Sequence, residues 1–443
     1  MAQPSPLLDS LQRVIAHRYK GTGGMGIRYI DDPLPSQAPD FFSSDYLSLA
    51  TDYSLREIFL RKIQEAPPGH LFGSTGSRLL TGNLSEINAL ESALKHFMGA
   101  PSALLFSSGF SANSAFLAHV PQESDVIIYD ELIHASCREG IRLSSCVSYS
   151  FSHNSVASLE EFLLSVLQKH PQVTRGTSTV FVVVESLYSM DGDFCPLQEI
   201  VELVETLVPA GHAHIVVDEA HTSGICGPNG TGYVSHLGLS DRVHTKLHAF
   251  SKAWGFHGAV LLTSPVIKDY LVNFTKSIMF STAMPYTDVY ALEACLSVVS
   301  STRGQELRQH LNHLCRYARE KLFIALKSIS KTILAVDEPD ATTAPSDRDL
   351  CSPIIPVLTP YAKRLGEYLL QRGYAVTPLP YPIVKSSRIR VTIHTGNTEE
   401  EIDSFIGALV AWAKRQERVS VRSESMTRSA GAGGSYAQAK AKL

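Results

Sequence analysis

The sequence predicts an α/β fold built on a mainly parallel sheet. The first support is a series of short apolar runs without polar alternation, which is typical of strands that are buried on both faces. These runs lie at residues 103–106, 126–129, 180–184, 215–217 and 259–262. The second support is a segment at 196–208, where apolar residues recur at helical spacing behind a proline. A repeated strand, helix, strand unit gathers ligands at the carboxyl ends of the strands.

A two-sided antiparallel core is the alternative fold. The helix signals that intervene regularly between the apolar runs argue against it. We expect a large sheet domain of the seven-stranded type, accompanied by a smaller α+β domain. The chain divides into an N-terminal segment, a large domain, a small C-terminal domain and a flexible tail, at residues 1–58, 59–290, 291–414 and 415–443.

The small domain is predicted from a change of pattern after about residue 290. Helical patterns at 288–301 and 305–328 precede a Pro, Asp, Thr and Ser cluster at 337–349. A strand at 353–358, a helix near 363–372 and a strand at 388–393 follow that cluster. From residue 415 onward the chain is rich in Ser, Arg, Ala and Gly, which predicts the flexible tail.

Composition excludes several classes of protein. The chain has 443 residues, of which 44% are hydrophobic and 19% charged, so it can bury a large interior and is not a disordered chain. Lys and Arg number 39 against 43 Asp and Glu, which gives a net charge of -4 and no basic field for nucleic acid. Seven scattered cysteines suit neither a disulfide framework nor a zinc site, so we expect a reducing compartment. We expect neither a signal peptide nor a membrane span.

The segment around Asp218 is the first candidate for chemistry. The buried strand pattern 215–217 ends in Asp218, and His221 follows three residues later. An acid and an imidazole at a strand end lie at the edge where an α/β sheet binds its ligands. Taken alone, Asp218 is better explained as a helix N-cap and His221 as a surface residue with its hydrogen bonds satisfied.

A lysine at a later strand end changes that balance. Ser251 and Lys252 follow a short apolar strand and precede a glycine-containing turn. A partly desolvated lysine has a lowered pKa, and its free amine can form a Schiff base. An acid beside a heterocyclic nitrogen and a lysine linked to an aldehyde are the two requirements of pyridoxal phosphate chemistry. The pair Asp218 and Lys252 therefore predicts this cofactor.

Other strand ends supply groups to the same rim. Residues 106–111 form a turn rich in Ser and Gly that begins a helix, an arrangement that can bind a phosphate group. His134 follows the strand at 126–129, where its ring could stack on a planar cofactor. Glu185 and Ser189 follow the strand at 180–184. Each feature is weak alone, and together they predict one pocket at the carboxyl edge of the sheet.

Ten ordered segments between about residues 40 and 410 carry a family resemblance. They are FFSSDYLSLA (41–50), GSTGSRLLTG (73–82), SSGFSAN (107–113), DELIHAS (130–136), VVESLYSMDGD (183–193), VVDEAHTSGICG (216–227), AFSKAWG (249–255), FSTAMP (280–285), SPIIPV (352–357) and RIRVTIHTGNT (388–398). They resemble the α-oxoamine synthase group of fold-type I pyridoxal phosphate enzymes. The resemblance implies a fold-type I transferase fold.

The resemblance also implies roles for individual residues. Lys252 resembles the lysine that forms the Schiff base with the cofactor and then moves the substrate α-proton. Asp218 resembles the partner of the pyridine nitrogen, and His221 the contact to the ring hydroxyl. His134 resembles the imidazole that stacks on the cofactor and hydrogen-bonds the developing charges. Further cofactor contacts are implied at Ser108, Gly109, Phe110, Glu185, Ser189 and Ser251.

Three more residues are implied to act on the phosphate or on the substrates. Thr282 matches the position that reaches the phosphate from the other subunit, which implies a homodimer with active sites at the interface. Arg390 resembles the arginine that grips the amino-acid carboxylate in a bidentate manner. Ser44 replaces an asparagine at a position near the acyl substrate.

By this resemblance the reaction is a decarboxylative condensation of an amino acid with an acyl-CoA, giving an α-amino ketone, CoA and CO2. Within the group the segments are most similar to the 8-amino-7-oxononanoate synthases, which join L-alanine to pimeloyl-CoA in biotin synthesis. Other pairs stay open: a glycine C-acetyltransferase-like reaction, glycine with succinyl-CoA, serine with a long acyl chain, or the release of a polyketide chain. A silent subunit and an ordinary aminotransferase are further alternatives, disfavoured by Lys252 and by the two C-terminal segments.

The last three residues resemble a targeting signal. Ala441, Lys442 and Leu443 differ at one position from the Ser-Lys-Leu peroxisomal signal. We therefore expect recognition by the peroxisomal import receptor and a peroxisomal location in a eukaryotic cell, with the cytoplasm as the alternative.

Overall fold

A seven-stranded, mainly parallel sheet forms the centre of the computed structural model, which describes residues 5–22, 38–336, 350–381 and 383–433. Its strands are β1 (Ser102–Phe106), β2 (Val126–Asp130), β3 (Val147–Phe151), β4 (Val180–Glu185), β5 (Ala213–Asp218), β6 (Thr245–Ala249) and β7 (Ala259–Thr263). Their order is β1-β7-β6-β5-β4-β2-β3, and β7 alone runs against its two neighbours. The predicted α/β class is confirmed, and the antiparallel alternative is wrong.

Helices cover the sheet and continue into the C-terminal part. They are α1 (Pro6–Thr22), α2 (Tyr53–Glu65), α3 (Ser85–Phe97), α4 (Gly109–His119), α5 (Ala135–Leu143), α6 (Val156–Lys169), α7 (Pro171–Thr174), α8 (Leu197–Leu207), α9 (Tyr233–His236), α10 (Pro265–Phe274), α11 (Lys276–Met279), α12 (Tyr286–Val299), α13 (Thr302–Leu326), α14 (Ala362–Leu370) and α15 (Glu399–Gly433). Short 3₁₀ turns lie at Leu49–Thr51 and Pro228–Gly230.

The buried strands match the apolar runs in the sequence. Every residue of β1, β4, β6 and β7 is buried, because helices cover both faces of the sheet. Strand β3 was not predicted, and its sequence explains why. It lies at the edge of the sheet, where Val147, Ser148 and Ser150 are exposed, so it lacks the continuous apolar run of a central strand.

Helix α8 shows how the pattern at 196–208 becomes structure. Pro196 stands at the N-cap, and the helix covers Leu197–Leu207. Its buried face consists of Leu197, Ile200, Val201 and Val204, which recur at helical spacing. Full burial of each such side chain contributes roughly 1.5–3 kcal/mol. This face packs in the same apolar core as β4 and β5.

A smaller antiparallel sheet forms the C-terminal part. Strands β8 (Ile354–Leu358), β9 (Thr377–Leu379) and β10 (Arg388–Thr392) lie in the order β8-β10-β9. Helices α13, α14 and α15 contribute their buried faces to the core of this part. The cluster at 337–349 lies outside the described residues.

The N-terminal segment is fastened to this small sheet. The Phe41 N–H donates to the Ala375 carbonyl at 3.0 Å, and the Thr392 N–H donates to the Phe41 carbonyl at 2.9 Å. Further along, the Thr395 N–H donates to the Tyr46 carbonyl at 3.0 Å. Helix α12 also runs through the predicted division at 290/291. The four-part domain division of the chain stays a prediction.

The C-terminal helix does not end at the predicted start of the tail. Helix α15 continues to Gly433, through the first part of the segment 415–443. The stretch contains no proline, and Ala, Arg, Glu and Ser are all compatible with helical backbone, so nothing in the sequence stops the helix near residue 415. Ala441, Lys442 and Leu443 lie outside the described residues, and the import signal stays a prediction.

Two further features concern the described residues as a whole. None of their helices combines the length and the apolar character that crossing a membrane requires. All seven cysteines are free thiols.

Two histidine rings lie next to each other at the amino end of the large sheet, tilted by 31°. His214 and His244 have ring centroids 4.9 Å apart, and His214 Nε2 is hydrogen-bonded to the Thr245 hydroxyl at 2.8 Å. Burial, with a smaller effect of His244, lowers the pKa of His214 to about 3. His214 is therefore neutral in the folded protein at any pH above that value.

We expect the protein to lose stability when the pH falls from 7 to 5, and His214 to account for part of the loss. In the unfolded chain this histidine takes up a proton near its ordinary pKa, which the folded state does not. The stability is present above about pH 6.5 and is lost below it, by about 2 kcal/mol at pH 5 for a folded pKa near 3. Urea denaturation of His214→Gln at both pH values should show a smaller loss than wild type. His310→Gln, at an exposed histidine, should match wild type. Equal losses in His214→Gln and wild type would contradict this account.

Candidate active site

The carboxyl ends of the parallel strands bring the predicted residues to one edge of the large sheet. Glu185 and Asp218, the last residues of β4 and β5, are direct partners in the strand register. Ser108 follows β1, His134 follows β2 and Lys252 follows β6. Because these strands share one direction, their following residues meet at the same edge.

Lys252 lies in the field of two carboxylates at this edge. Burial lowers the pKa of the Lys252 amine, while Asp218 and then Glu185 act in the opposite direction. The Lys252 amine and the Asp218 carboxylate are therefore near enough for each charge to act on the other. A lysine whose pKa is lowered by burial has more of the unprotonated amine, the form that reacts with an aldehyde.

Glu185 is a buried carboxyl group in the same cluster. It is 5% exposed, and burial followed by the charge of Asp218 raises its pKa well above the usual range. A hydrogen bond from the backbone N–H of His134 and the charge of Lys252 both act to lower the pKa of Glu185. Two neighbouring carboxyl groups in a buried space favour one ionised and one protonated group.

The Asp218 carboxylate is held by donors on both oxygens. Its Oδ2 accepts a hydrogen bond from Asn113 Nδ2 at 2.6 Å, and its Oδ1 accepts from the Ala220 N–H at 2.9 Å. Asp218 is 7% exposed and Asn113 is 4% exposed. N–H donors stabilise the ionised carboxylate in a buried place.

His134 caps helix α5 with its own side chain. Its Nδ1 accepts from the Ser136 N–H at 3.2 Å and lies 2.7 Å from the Ser136 hydroxyl. Burial is the main cause that lowers the pKa of His134, with Lys252 adding to it and Asp218 opposing it. The ring lies 6.4 Å from that of Phe110 in an edge arrangement. His134 is therefore both the N-cap of helix α5 and a member of the cluster around Lys252.

His221 is buried and hydrogen-bonded to a residue of the N-terminal segment. Its Nδ1 and the hydroxyl of Tyr46 are 2.6 Å apart. Burial is the main cause that lowers the pKa of His221 well below its usual value, and Lys252 and Arg390 add to this. Tyr46 is fully buried, and burial raises the pKa of its hydroxyl. His221 therefore lies in the same cluster as Lys252.

Arg390 enters the site from strand β10 of the small sheet. Its Nη1 donates to the Ser189 carbonyl at 3.4 Å, and its Nε is buried without a partner among the described residues. Burial lowers the pKa of Arg390, and the nearby Tyr46 opposes the shift. Ser44 stands two residues before Tyr46, and its carbonyl accepts a hydrogen bond from the Tyr46 N–H at 2.8 Å. The Arg390 guanidinium thus keeps one N–H donor, Nε, without a partner among the described residues.

The loop that carries Ser251 and Lys252 packs against the N-terminal segment. Gly255 has φ +64°, and a Cβ atom there would lie 2.4 Å from the Ala50 nitrogen. Only glycine permits this approach without strain. The side chain of Ser251 is exposed. The loop therefore fixes the backbone next to Lys252 by direct contact with residue 50.

The turn after β1 starts helix α4 with a capping box. The Ser108 hydroxyl accepts from the Ser111 N–H at 3.1 Å, and the Ser111 hydroxyl accepts from the Ser108 N–H at 3.2 Å. Gly109 and Phe110 stand in the first turn, where backbone N–H groups have no acceptor within the helix. Such N–H groups and the helix dipole suit an anionic group.

Thr282 is placed apart from the other predicted residues. It is exposed and forms an isolated antiparallel bridge with Ser77. Among the described residues no hydrogen bond or ion pair joins it to the cluster around Lys252. The roles of all the predicted site residues stay proposals.

Three polar residues of the site were not singled out from the sequence: Tyr46, Asn113 and Ser136. Each lies within a segment quoted for the family resemblance, but none of these segments shows locally which partner its polar residue has. Asn113 offers the clearest signal, because it is a polar residue among buried apolar positions of α4. Such a residue needs a hydrogen-bonding partner inside the protein.

A family model described as Aminotransferase class I and II matches residues 40–409. The chain belongs to the aminotransferase class I and II family. Its relatives include 8-amino-7-oxononanoate synthase of Emericella nidulans, with 37% identity over 392 residues, 88% of this chain and 92% of the relative. Aminoacyl transferase sphA of Byssochlamys spectabilis is 33% identical over 407 residues, 89% of this chain and 85% of the relative.

Solved structures agree with this family at the level of the fold. Serine palmitoyltransferase of Sphingomonas wittichii superposes with a TM-score of 0.74 at 24% identity, over 94% of this chain and 98% of that one. An 8-amino-7-oxononanoate synthase of Francisella tularensis superposes with a TM-score of 0.66 at 23% identity, over 86% and 99%. The resemblance to the α-oxoamine synthase group is confirmed, and the fold is that of the fold-type I pyridoxal phosphate transferases.

The residues at the sheet edge fit the cofactor of this aminotransferase family, pyridoxal phosphate. Asp218 offers a carboxylate held in place by two N–H donors. Lys252 offers an amine with a pKa lowered by burial. The first turn of α4 offers N–H groups to a phosphate. These three groups supply the acid, the amine and the anion site that this cofactor requires.

Tyr46→Phe should weaken the binding of pyridoxal phosphate roughly tenfold. The change removes the hydroxyl that pairs with His221 Nδ1, and a buried polar group left without a partner costs about 1–3 kcal/mol. The dissociation constant, measured by equilibrium dialysis against the cofactor, checks this. Tyr53→Phe serves as the control, because Tyr53 is 69% exposed. Equal affinities in the two variants would show that the Tyr46 hydroxyl does not support the site.

Proposed function

We propose that this α-oxoamine synthase joins L-alanine to pimeloyl-CoA, releasing CoA and CO2 and giving an α-amino ketone. The relative of 37% identity, which is named 8-amino-7-oxononanoate synthase and aligns over 92% of its length, supports this pair. The observation that carries the proposal is that the charges of Asp218, Glu185 and Arg390 all act on the Lys252 amine. An amine, two carboxyl groups and a guanidinium are therefore near one another.

Pyridoxal phosphate, when bound, supplies an aldehyde that links to amines and a ring that accepts electrons from the substrate α-carbon. Asp218 is suited to pair with the ring nitrogen, since its ionised form is held by Asn113 and Ala220. His221, placed by Tyr46, is suited to contact the ring hydroxyl. The N–H groups of Gly109 and Phe110, with the hydroxyls of Ser108 and Ser251, are suited to hold the phosphate.

Lys252 and His134 handle protons in this proposal. With its pKa lowered by burial, the Lys252 amine can accept the proton from the substrate α-carbon and later return one. His134 lies close enough to Lys252 and Asp218 to interact with both charges. Its imidazole is therefore placed to stack on the cofactor and to hydrogen-bond an oxygen on which negative charge develops.

Arg390 binds the amino-acid carboxylate in this proposal. Its Nε, which has no partner among the described residues, and the adjacent Nη2 are the side-on donors of a bidentate contact, while Nη1 donates to the Ser189 carbonyl at 3.4 Å. Ser44, which is hydrogen-bonded through its backbone carbonyl to Tyr46, is proposed to line the acyl-substrate side. The substrate carboxylate is thus held by the small sheet, while the cofactor is held by the large one.

A second candidate reaction uses another acyl thioester. Two relatives are named aminoacyl transferase sphA, with identities of 33% and 34% over 89% and 85% of this chain. Their name does not mention 8-amino-7-oxononanoate, and we propose as the alternative an amino-acid condensation with another acyl partner, such as one that releases a polyketide chain. The residues that would hold the cofactor serve both reactions equally, so the acyl substrate separates the two.

A substrate screen tests the proposal. The purified protein with pyridoxal phosphate is offered alanine, glycine or serine with pimeloyl-, acetyl-, succinyl- or palmitoyl-CoA, and thiol release is followed. We expect the fastest release with L-alanine and pimeloyl-CoA, and a fall of roughly 10²- to 10⁴-fold in Lys252→Ala. Lys252→Ala should also lose the visible absorption of the lysine-linked cofactor after dialysis. Lys276→Ala, at an exposed lysine, is the control. Release with another pair alone would transfer the proposal to that pair.

We propose that the protein acts as a homodimer whose second copy covers the surface around Thr282. Phe72, Leu80 and Phe280 are 81%, 78% and 76% exposed in the single chain. They flank the bridge between Ser77 and Thr282. Large exposed apolar groups gathered in one place are typical of an interface. Thr282 is proposed to reach the phosphate bound in the other copy.

Mixed dimers of Lys252→Ala and Thr282→Ala test the role of Thr282 across the interface. If Thr282 serves the other copy, a mixed dimer contains one site with both native residues, and we expect about half of the wild-type activity per dimer. If Thr282 serves its own copy, neither site in the mixed dimer is complete, and we expect the mean of the two parental activities, which lies below half of wild type because Thr282→Ala is itself impaired. Differently tagged copies, co-expressed and purified through both tags, provide the mixed dimer. Size-exclusion chromatography with light scattering establishes the dimer itself.

A further inference from the structure

A row of buried polar groups links Asp218 to His134. Asn113 Nδ2 donates to Asp218 Oδ2 at 2.6 Å and to the Ser136 hydroxyl oxygen at 3.1 Å. The Ser136 hydroxyl in turn lies 2.7 Å from His134 Nδ1. Asn113 and Ser136 are 4% and 0% exposed, so water does not compete for these bonds. The row joins the end of β5 to the start of α5 through helix α4.

The orientation of the Asn113 amide follows from its neighbour. An amide can be turned so that its oxygen and nitrogen exchange places, and the hydrogen-bond network decides between the two. Turning Asn113 would place its oxygen 2.6 Å from a carboxylate oxygen, two acceptors without a proton between them. The Nδ2 group therefore faces Asp218, and its second hydrogen is directed to Ser136.

The direction of the remaining bonds follows from this orientation. The Ser136 hydroxyl oxygen accepts from Asn113, so its own proton is available for His134 Nδ1. The Ser136 backbone N–H also donates to Nδ1, at 3.2 Å. Two donors that converge on Nδ1 require it to be an acceptor. A neutral imidazole with Nδ1 as the acceptor carries its proton on Nε2.

We propose that Asn113 and Ser136 are positioning residues that connect Asp218 to His134 and hold His134 as the Nε2–H tautomer. This inference deepens the proposed function and rests on it for the roles of Asp218 and His134. Neither positioning residue needs to touch the substrate. Asn113 orients the carboxylate that faces the cofactor ring, and Ser136 orients the proton that His134 offers to the substrate side.

The tautomer of His134 is the first readout. Long-range ¹H–¹⁵N spectra of protein labelled with ¹⁵N-histidine distinguish the two neutral forms by their nitrogen shifts, and loss of a signal in His134→Gln assigns it. We expect the Nε2–H pattern in the wild-type protein with and without pyridoxal phosphate. Ser136→Ala should give shifts averaged between the tautomers, because one of the two donors to Nδ1 is lost. An Nδ1–H pattern in the wild-type protein would overturn the inference.

Affinity for pyridoxal phosphate is the second readout. Asn113→Ala should weaken cofactor binding roughly tenfold or more, since it removes a hydrogen bond to a charged group. Asn113→Asp keeps the shape of the side chain but places a carboxylate against Asp218, and should weaken binding at least as much. Ser136→Ala should change the affinity less than threefold, because Ser136 does not touch Asp218 directly.

Ser114→Ala is the matched control. Ser114 follows Asn113 on α4, but its hydroxyl donates only within the helix, to the Phe110 carbonyl. It should leave the tautomer and the affinity unchanged. Native affinity in Asn113→Asp would show that Asn113 fills space without acting on Asp218, and would overturn the link. Both readouts are independent of turnover, so they decide the inference even if the substrate screen rejects L-alanine and pimeloyl-CoA. Circular dichroism of each variant establishes that it is folded.

Discussion

The shared direction of the strands is the constraint on which the site depends. Strand β7 is the only strand of the large sheet that runs against its neighbours, so the residues that follow the other strands meet along one edge. Glu185 and Asp218 are adjacent there through the register of β4 and β5. A slip of one residue in that register would turn one of the two side chains to the opposite face of the sheet. The pairing of strands therefore determines which charges can interact.

The buried charges at this edge of the sheet depend on one another for compensation. An ionised side chain that is taken out of water without a partner is costly, often by several kcal/mol. Asp218 compensates with two N–H donors, and the amine of Lys252 lies in its field. Glu185 has a pKa raised by burial and by Asp218, which favours its protonated form. The cluster is thus a balance of opposite shifts, in which the removal of one charge changes the state of its neighbours.

The site residues that the local sequence pattern predicts are those that stand directly after a recognisable apolar strand. Asp218 and Lys252 follow apolar runs, so a strand and its end can be read from adjacent residues. Tyr46 and Asn113 were missed because their partners, His221 and Asp218, lie 175 and 105 residues away. Strand β3 and the length of α15 were missed for a local reason: the first lacks a central strand's apolar run, and the second lacks a stop signal. Long-range polar pairing leaves no local pattern to read.

The two sheets contribute different kinds of residue to the site. Those suited to hold the cofactor follow strands of the large sheet, whereas Arg390 belongs to the small sheet and Ser44 to the N-terminal segment fastened to it. Ser44 takes no part in the hydrogen bonds that hold the Asp218 carboxylate, which come from Asn113 and Ala220. A change of substrate preference is therefore most compatible with this structure at positions such as Ser44, which is proposed to lie on the substrate side and stands outside the hydrogen bonds that hold the acid.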